Sequence, residues 1–276
     1  MPSTTARVSS RDGVPLLLRR WPAVGQASAS VLIVHGLGEH SGRYERTGAI
    51  LAATGLDVAA IDLQGFGGSG GRRAFLGRWD TWLDDVEDRL AGLRAAVGGR
   101  PVVLLGHSTG ALVALLYALG DRPRPDLLIL SAPALAADLP AWKKTMVRVL
   151  GQVAPTVSVA NGLDGGLLSR DPAVGADYVA DPLNHHRTTT ALGRQLLLAQ
   201  ERARAGLGRL GVPTLVIHGG SDRLVPTASS EVLAPLPLVD RRVYPDLRHE
   251  TLNEPEGPQV AADIAVWIGA RIGLAV

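Results

Sequence analysis

The sequence predicts an α/β fold in which helices cover both faces of a mostly parallel, doubly wound sheet. Two observations lead there. Short, continuous apolar runs recur along the chain, each bounded by Gly, Pro or Asp: SVLIVHG (30–36), LDVAAIDLQG (56–65), PVVLLGHS (101–108), DLLILSAP (126–133) and VPTLVIHGG (212–220). A central strand buried on both faces needs such an unbroken run. Stretches of helical character separate the runs, and repeated strand–helix units wind into a parallel sheet.

Taken in order, RVSSRDGVPLLLRRW (7–21) reads as an N-terminal hairpin turning at Asp12-Gly13. WDTWLDDVEDRLAGLRAAV (79–97) brings Trp82, Leu83, Val86, Leu90, Leu93 and Val97 near one helical face. EGPQVAADIAVWIGARI (256–272) closes the chain as an amphipathic helix. From about Ala134 to Leu210 the rhythm changes. This region holds helical LPAWKKTMVRVLGQV (139–153) and loop-like NGLDGGLLSRDP (161–172), without a clear central strand. An insertion at the C-terminal edge of a parallel sheet sits over the ligand crevice. The expected organisation is therefore a core of residues 1–133 and 212–276 with a helical cap, or lid, at 134–211.

Composition narrows the function classes. The chain has 276 residues, 46% of them hydrophobic, enough for one large core. The formal net charge of +2 predicts no nucleic-acid partner. Only two of the 28 basic residues are lysine, Lys143 and Lys144, which reads as composition bias. The chain has no cysteine, which excludes disulfides, cysteine zinc sites and thiol nucleophiles. MPSTTARVSSRDG carries no apolar core of a signal peptide, and no apolar run nears the ~18 residues of a membrane span. A cytoplasmic protein is expected, with peripheral membrane contact left open. Trp142, Met146, Val149 and Leu150 fall near one face of the 139–153 helix, among Lys143, Lys144 and Arg148. That face either rests on a lipid surface or packs on the cap's own core.

Gly106-His107-Ser108-Thr109-Gly110 matches G-x-S-x-G between a strand and a helix. In that context a sharp turn exposes the serine, and the flanking glycines let backbones approach. Taken alone, the five residues could simply end a strand. A serine nucleophile also needs a base and an orienting carboxylate. Asp222 follows a predicted strand, and His249 lies in a loop before the last helix. Both stand beyond strand C-termini in the order Ser, Asp, His of α/β-hydrolases. Competing residues read otherwise: Asp246 as a turn former, His218 as a packed core histidine, His185 and His186 as surface residues. His107 is expected to point away from the nucleophile. Acyl transfer also needs amide donors for an oxyanion. The amide of Thr109 is one candidate, and that of Leu37 in HGLGEHSGRY (35–44) is the other.

HGLGEHSGRY, GHSTG, SAPAL, YVADPL, HGGSDRLVP and YPDLRHETLNEP occur in that order over residues 30 to 260. Together they resemble the monoacylglycerol lipase / lysophospholipase family of α/β-hydrolases, of the S33 serine aminopeptidase type. The resemblance implies an eight-stranded α/β-hydrolase sheet, a Ser108–Asp222–His249 triad, and oxyanion donors at Leu37 and Thr109. It implies that 134–211 caps an acyl-chain tunnel. It also implies that Glu39 and Arg43 lie near the polar end of the site and that Tyr178 contacts a glycerol head. The alternatives are a structural Glu39–Arg43 ion pair and a core role for Tyr178. The implied activity is hydrolysis of monoacylglycerols to fatty acid and glycerol through an acyl-enzyme, with no metal or organic cofactor. A lysophospholipase, a carboxylesterase for small esters and a non-catalytic binding scaffold are the other readings. Two motifs depart from the family: GHSMGG is GHSTGA here, with Thr109 and Ala111, and D-x-R-G-H-G-x-S appears as DLQGFGGS, with Gln64 and Phe66.

Overall fold

A computed structural model describes residues 2–136 and 139–273, so the chain's first residue and last three residues, together with 137–138, lie outside the described structure. Strands β1 (Thr4–Ser9) and β2 (Pro15–Trp21) form the expected antiparallel hairpin. Gly13 takes φ +76° at its turn, and its amide donates to the Ser10 carbonyl at 3.1 Å. Then follow β3 (Ala29–Val34), α1 (Glu45–Ala53), β4 (Leu56–Ile61), α2 (Asp80–Val97), β5 (Val102–His107), α3 (Thr109–Leu119) and β6 (Leu127–Ser131). After them come α4 (Ala141–Val153), β7 (Ser158–Ala160), α5 (Pro172–Ala180), β8 (Arg187–Thr189) and α6 (Thr190–Gly206). The chain closes with β9 (Thr214–Gly219), β10 (Val239–Tyr244) and α7 (Gly257–Ile272).

Eight strands make one sheet in the order β1-β2-β4-β3-β5-β6-β9-β10. From β4 to β10 all neighbours are parallel, and only β2 runs against the rest, β1 returning to the common direction. The two-residue alternation of strands sorts the core into two layers. Leu32, Val34, Leu104, Leu128 and Leu130 face α2, α3 and α6. Val31, Ile33, Val103, Leu105, Ile129 and Ile217 face α1 and α7. Trp82, Leu83, Val86, Leu90 and Leu93 of α2 are buried as the periodicity requires, while the Val97 side chain lies outside the described residues.

Three elements differ from the sequence reading. The run at 56–65 stays a strand only to Ile61, because Asp62 turns away to accept from the Ser41 and Gly68 amides at 2.7 and 2.8 Å. β10, VDRRVY, was not anticipated. It is an edge strand, half exposed, and carries none of the continuous hydrophobicity of a central strand. Between β6 and β9 the chain adds a two-stranded antiparallel ladder, β7–β8, apart from the main sheet. In that same stretch α6 packs on α3, and its Leu192, Ala199 and Ala203 join the main apolar cluster.

Candidate active site

The strand-to-helix turn after β5 holds Ser108 at φ 52° and ψ −113°, a conformation costly for any residue with a Cβ. Three backbone bonds hold it there. The Ser108 amide donates to the Ser131 carbonyl at 2.8 Å, and the Ser108 carbonyl accepts from Leu112 and Ala134, both at 3.2 Å. The flanking glycines are steric requirements. A Cβ on Gly106 would stand 2.3 Å from the Gly110 carbonyl oxygen, and one on Gly110 would stand 2.1 Å from that of Val34. Thr109 opens α3, so its amide is among the helix N-terminal donors without an intrahelical partner.

Asp222 and His249 meet 27 residues apart in sequence. His249 Nδ1 lies 2.7 Å from Asp222 Oδ2, and both side chains are buried. Asp222 Oδ1 accepts from the amides of Leu224 and Val225, each at 2.9 Å. Burial alone would raise the Asp222 carboxyl, but the donors from His218 and His249 hold it below the usual carboxylate range. Burial would likewise lower His249, and the Asp222 hydrogen bond and charge outweigh it, so its pKa is raised. Since Asp222 takes Nδ1, Nε2 is the nitrogen available to a hydroxyl. Ser108 and His249 line one cavity.

Other histidines lie near this pair. The His107 ring lies 4.9 Å from that of His249, tilted by 56°, and its Nδ1 lies 3.2 Å from Ser131 Oγ. The alternation of β5 puts His107 on the face of Val103 and Leu105, where the His249 loop packs through Leu247 and Leu252. Burial, then the neighbouring His249, push His107 down to about 3, so it is neutral at physiological pH. His218 is buried as expected, and it also hydrogen-bonds Asp222. His185 is half-buried against Phe66, with ring centroids 6.3 Å apart, while His186 is exposed. Asp246 sits exposed in a turn.

The loop after β3 is organised from both ends. His35 Nε2 accepts from the Leu63 amide at 2.9 Å, so Nδ1 carries the proton and donates to the Gly36 carbonyl at 2.7 Å. In a trans peptide the C=O and N–H point oppositely, so His35 turns the Leu37 amide to the other side. Glu39 Oε1 accepts from the Gly36 amide (2.6 Å) and the Tyr44 hydroxyl (2.9 Å). Glu39 Oε2 meets Arg43 at 3.2 Å. Arg43 also pairs with Glu250, through Nη2 to Oε2 at 2.8 Å, and lies 5.2 Å from the Tyr178 ring. Burial would raise Glu39, but Arg43 overrides it and keeps the carboxylate charged. The Tyr178 side chain is buried, with its hydroxyl beside the Asn161 amide. The structure thus brings Leu37, Glu39, Arg43, Tyr178, Ser108 and His249 to one cavity.

Residues that the sequence reading did not single out hold this arrangement. Glu254, fully buried, accepts from the Arg248 amide at 2.6 Å and from the Arg170 amide at 3.0 Å. The Glu250 amide donates to Leu168 O at 2.8 Å, and Arg248 Nη1 to Gly166 O at 2.6 Å. The residues on either side of His249 are therefore strapped to segment 166–170. The motif HETLNEP contains Glu250 and Glu254, but only the fold reveals their partners. The cavity beside Ser108 is about 20 Å³, room for a water and too small for an acyl chain.

This fold recurs among known proteins. Residues 25–256 match the family described as serine aminopeptidase, S33. The chain belongs to that hydrolase family. It is 35% identical to the monoacylglycerol lipase of Mycolicibacterium smegmatis, over 94% of this chain and 95% of the relative. It is 32% identical to human monoglyceride lipase, over 96% and 90% respectively. The crystal structure of Paleococcus ferrophilus monoacylglycerol lipase superposes with a TM-score of 0.82 at 29% identity, covering 98% of this chain and all of that one. The α/β-hydrolase architecture of the family is thus the architecture of this chain.

Proposed function

We propose that the chain is a serine carboxylic ester hydrolase that cleaves monoacylglycerols into fatty acid and glycerol. The observation that carries this reading is the 2.7 Å bond from His249 Nδ1 to Asp222, beside a serine held at positive φ. In the proposed reaction His249 Nε2 takes the proton of Ser108 as Oγ attacks the ester carbonyl. The amides of Leu37 and Thr109 hold the oxyanion, each contributing about 3 kcal/mol to the transition state. His249 protonates the leaving alcohol, then activates water to release the fatty acid.

The substrate assignment draws on the similarity to monoacylglycerol lipases. It draws also on Tyr178, which lines the same cavity as Ser108 and His249. Glu39 and Arg43 form the polar wall of the site, and their mutual pairing holds the loop that carries Leu37. An acyl chain needs more space than the cavity offers, so residues 134–211 act as a cap whose displacement admits substrate. Ser108→Ala should abolish hydrolysis of a p-nitrophenyl ester with the fold unchanged, and retained turnover would refute the reading. A panel of monoacylglycerol, lysophospholipid and short-chain ester should give the highest kcat/KM for the monoacylglycerol. A preference for lysophospholipid or short-chain ester would move the assignment to a phospholipase or a carboxylesterase.

A lipid surface is the proposed source of substrate. No helix among the described residues is long and apolar enough to cross a membrane. In α4, however, Gly151 alone is buried, while Trp142 (63%), Met146, Val149 and Val153 (71%) are exposed along one stripe. Lys143 lies 5.4 Å from the Trp142 ring. An exposed apolar stripe bordered by cations suits the interfacial region of a bilayer. Flotation with anionic liposomes should recover the protein, and replacing Trp142 and Val153 by serine should lower the recovery. Equal recovery of both proteins would exclude α4 as the contact.

A further inference from the structure

The geometry points to His218 as a positioning residue that sets the strength with which Asp222 holds His249. This inference rests on the triad reading above. His218 is the fifth residue of β9, fully buried, and its register neighbour on β10 is Val243. Its Nε2 faces two acceptors, Asp222 Oδ2 at 3.2 Å and the Val225 carbonyl at 2.9 Å. Neither can donate, so Nε2 carries the proton. His218 therefore donates to the same carboxylate oxygen that receives His249 Nδ1. The Val225 amide donates to Oδ1 of that carboxylate. One imidazole N–H thus pins both the carboxylate and the turn that supplies its backbone donors.

The opposite nitrogen has its own support. His218 Nδ1 lies 2.9 Å from Ser230 Oγ. Arg241 Nε donates to Ser230 Oγ at 3.0 Å, and Arg241 Nη2 donates to the Thr227 carbonyl at 2.9 Å. Ser230 Oγ also donates to the Thr227 carbonyl at 3.0 Å, so this side of the ring is tied to the same turn. A chain of partners results: Arg241, Ser230, His218, Asp222, His249. It starts on the edge strand β10 and ends at the base. Asp222 has about four lone-pair sites and four donors, so each donor removed leaves more of its charge for the others.

The consequence has a sign. With the His218 donor gone, Asp222 Oδ2 is a stronger acceptor for His249, and the imidazolium is held more tightly. The acid limb of kcat/KM then moves to higher pH, by about half a unit. The other groups facing His249 are His107, Glu250 and Glu39, and a change at position 218 leaves their identity untouched. The lost anchoring of the carboxylate should also lower kcat by about 10- to 100-fold, the range for outer partners of a functional ligand, with KM unchanged.

The test compares His218→Leu, which removes the donor, with His218→Gln, which restores an amide donor at that place. Leu should show the raised acid limb and the lower kcat, and Gln should return both toward wild type. If the Leu variant does not fold, His218→Met takes its place, since a flexible apolar chain fills the same volume. A folded donor-free variant with the wild-type acid limb would overturn the proposal, as would equal losses in the donor-free and Gln variants. The low-field proton resonance of the His249–Asp222 hydrogen bond supplies a readout independent of ester turnover. It should shift in the Leu or Met variant and not in Gln. An enzyme inactive on every ester, with that resonance still shifting, would refute the esterase reading while sustaining the role of His218.

Discussion

The His107 ring stands 4.9 Å from the His249 ring, and His107 is pushed down to about 3 while His249 is raised. Two imidazoles in contact cannot both carry charge at low cost. Asp222 decides which one does, because its carboxylate bonds His249.

This arrangement predicts the pH profile. His249 must be neutral to accept a proton, and its pKa is raised by Asp222. The acid limb of kcat/KM should therefore lie above the ordinary histidine value of about 6.5. Asp222→Asn should drop kcat by about 10⁴ and move that limb downward, as seen in pH–rate profiles on a p-nitrophenyl ester. An unmoved limb would mean that another group sets it.

The glycines flanking Ser108 should tolerate no Cβ. Gly110→Ala places a carbon 2.1 Å from the Val34 carbonyl oxygen and 2.4 Å from that of His35, both backbone atoms. Relief requires moving α3 off β3, at a cost of about 3 kcal/mol or more. Urea denaturation measures the loss, and slowed labelling of Ser108 by a fluorophosphonate measures the displaced turn. Stability and labelling equal to wild type would show that the turn is looser than its geometry.

Glu254 should behave as the anchor of the His249 loop. Its carboxylate is fully buried, with Arg248 N on one oxygen and Arg170 N and Ser169 Oγ on the other. Glu254→Gln turns an NH₂ group toward one of these donors and leaves Arg170 without its buried partner. A loss of about 3 kcal/mol is expected. Because Arg248 precedes His249, kcat should fall as well, with thermal unfolding and single-turnover rates as the measurements.

Asp85 makes the opposite prediction. It is 2% exposed, its Oδ2 has no hydrogen-bond partner among the described residues, and burial pushes its carboxyl up to about 7. The unfolded chain ionises it near 3.9. The folded state therefore binds the extra proton, and stability is lost as pH rises between those values. Asp85→Asn should stabilise the protein above pH 7 by on the order of 2 kcal/mol and have little effect below pH 4. A Tm difference between the two proteins that does not vary with pH would contradict it.

Much of the fold was legible because its central strands are apolar without interruption and its turns carry Gly, Pro or Asp. β10 was not, since VDRRVY is an edge strand whose side chains are largely exposed and carry charge. Ser108, Asp222 and His249 were legible from a motif and from chain order. The second histidine on Asp222 and the partners of Glu254 were not. His218 looked like core, and Glu250 and Glu254 like the polar residues of a loop. A hydrogen bond across 84 residues, such as Arg170 N to Glu254, leaves no periodic trace in the sequence.

The sequence by itself determined the doubly wound sheet, the strand ends that collect the site, and the identities of nucleophile, base and carboxylate candidates. Those follow from local patterns: two-residue alternation, apolar runs, and glycines where a turn needs them. Only the tertiary structure decided which histidine lies against which, that one carboxylate oxygen serves both His218 and His249, and that segment 166–170 holds the His249 loop. The physical reason is that burial and hydrogen-bond partnership are properties of pairs distant along the chain. A buried polar group shows its role only when its partner is known.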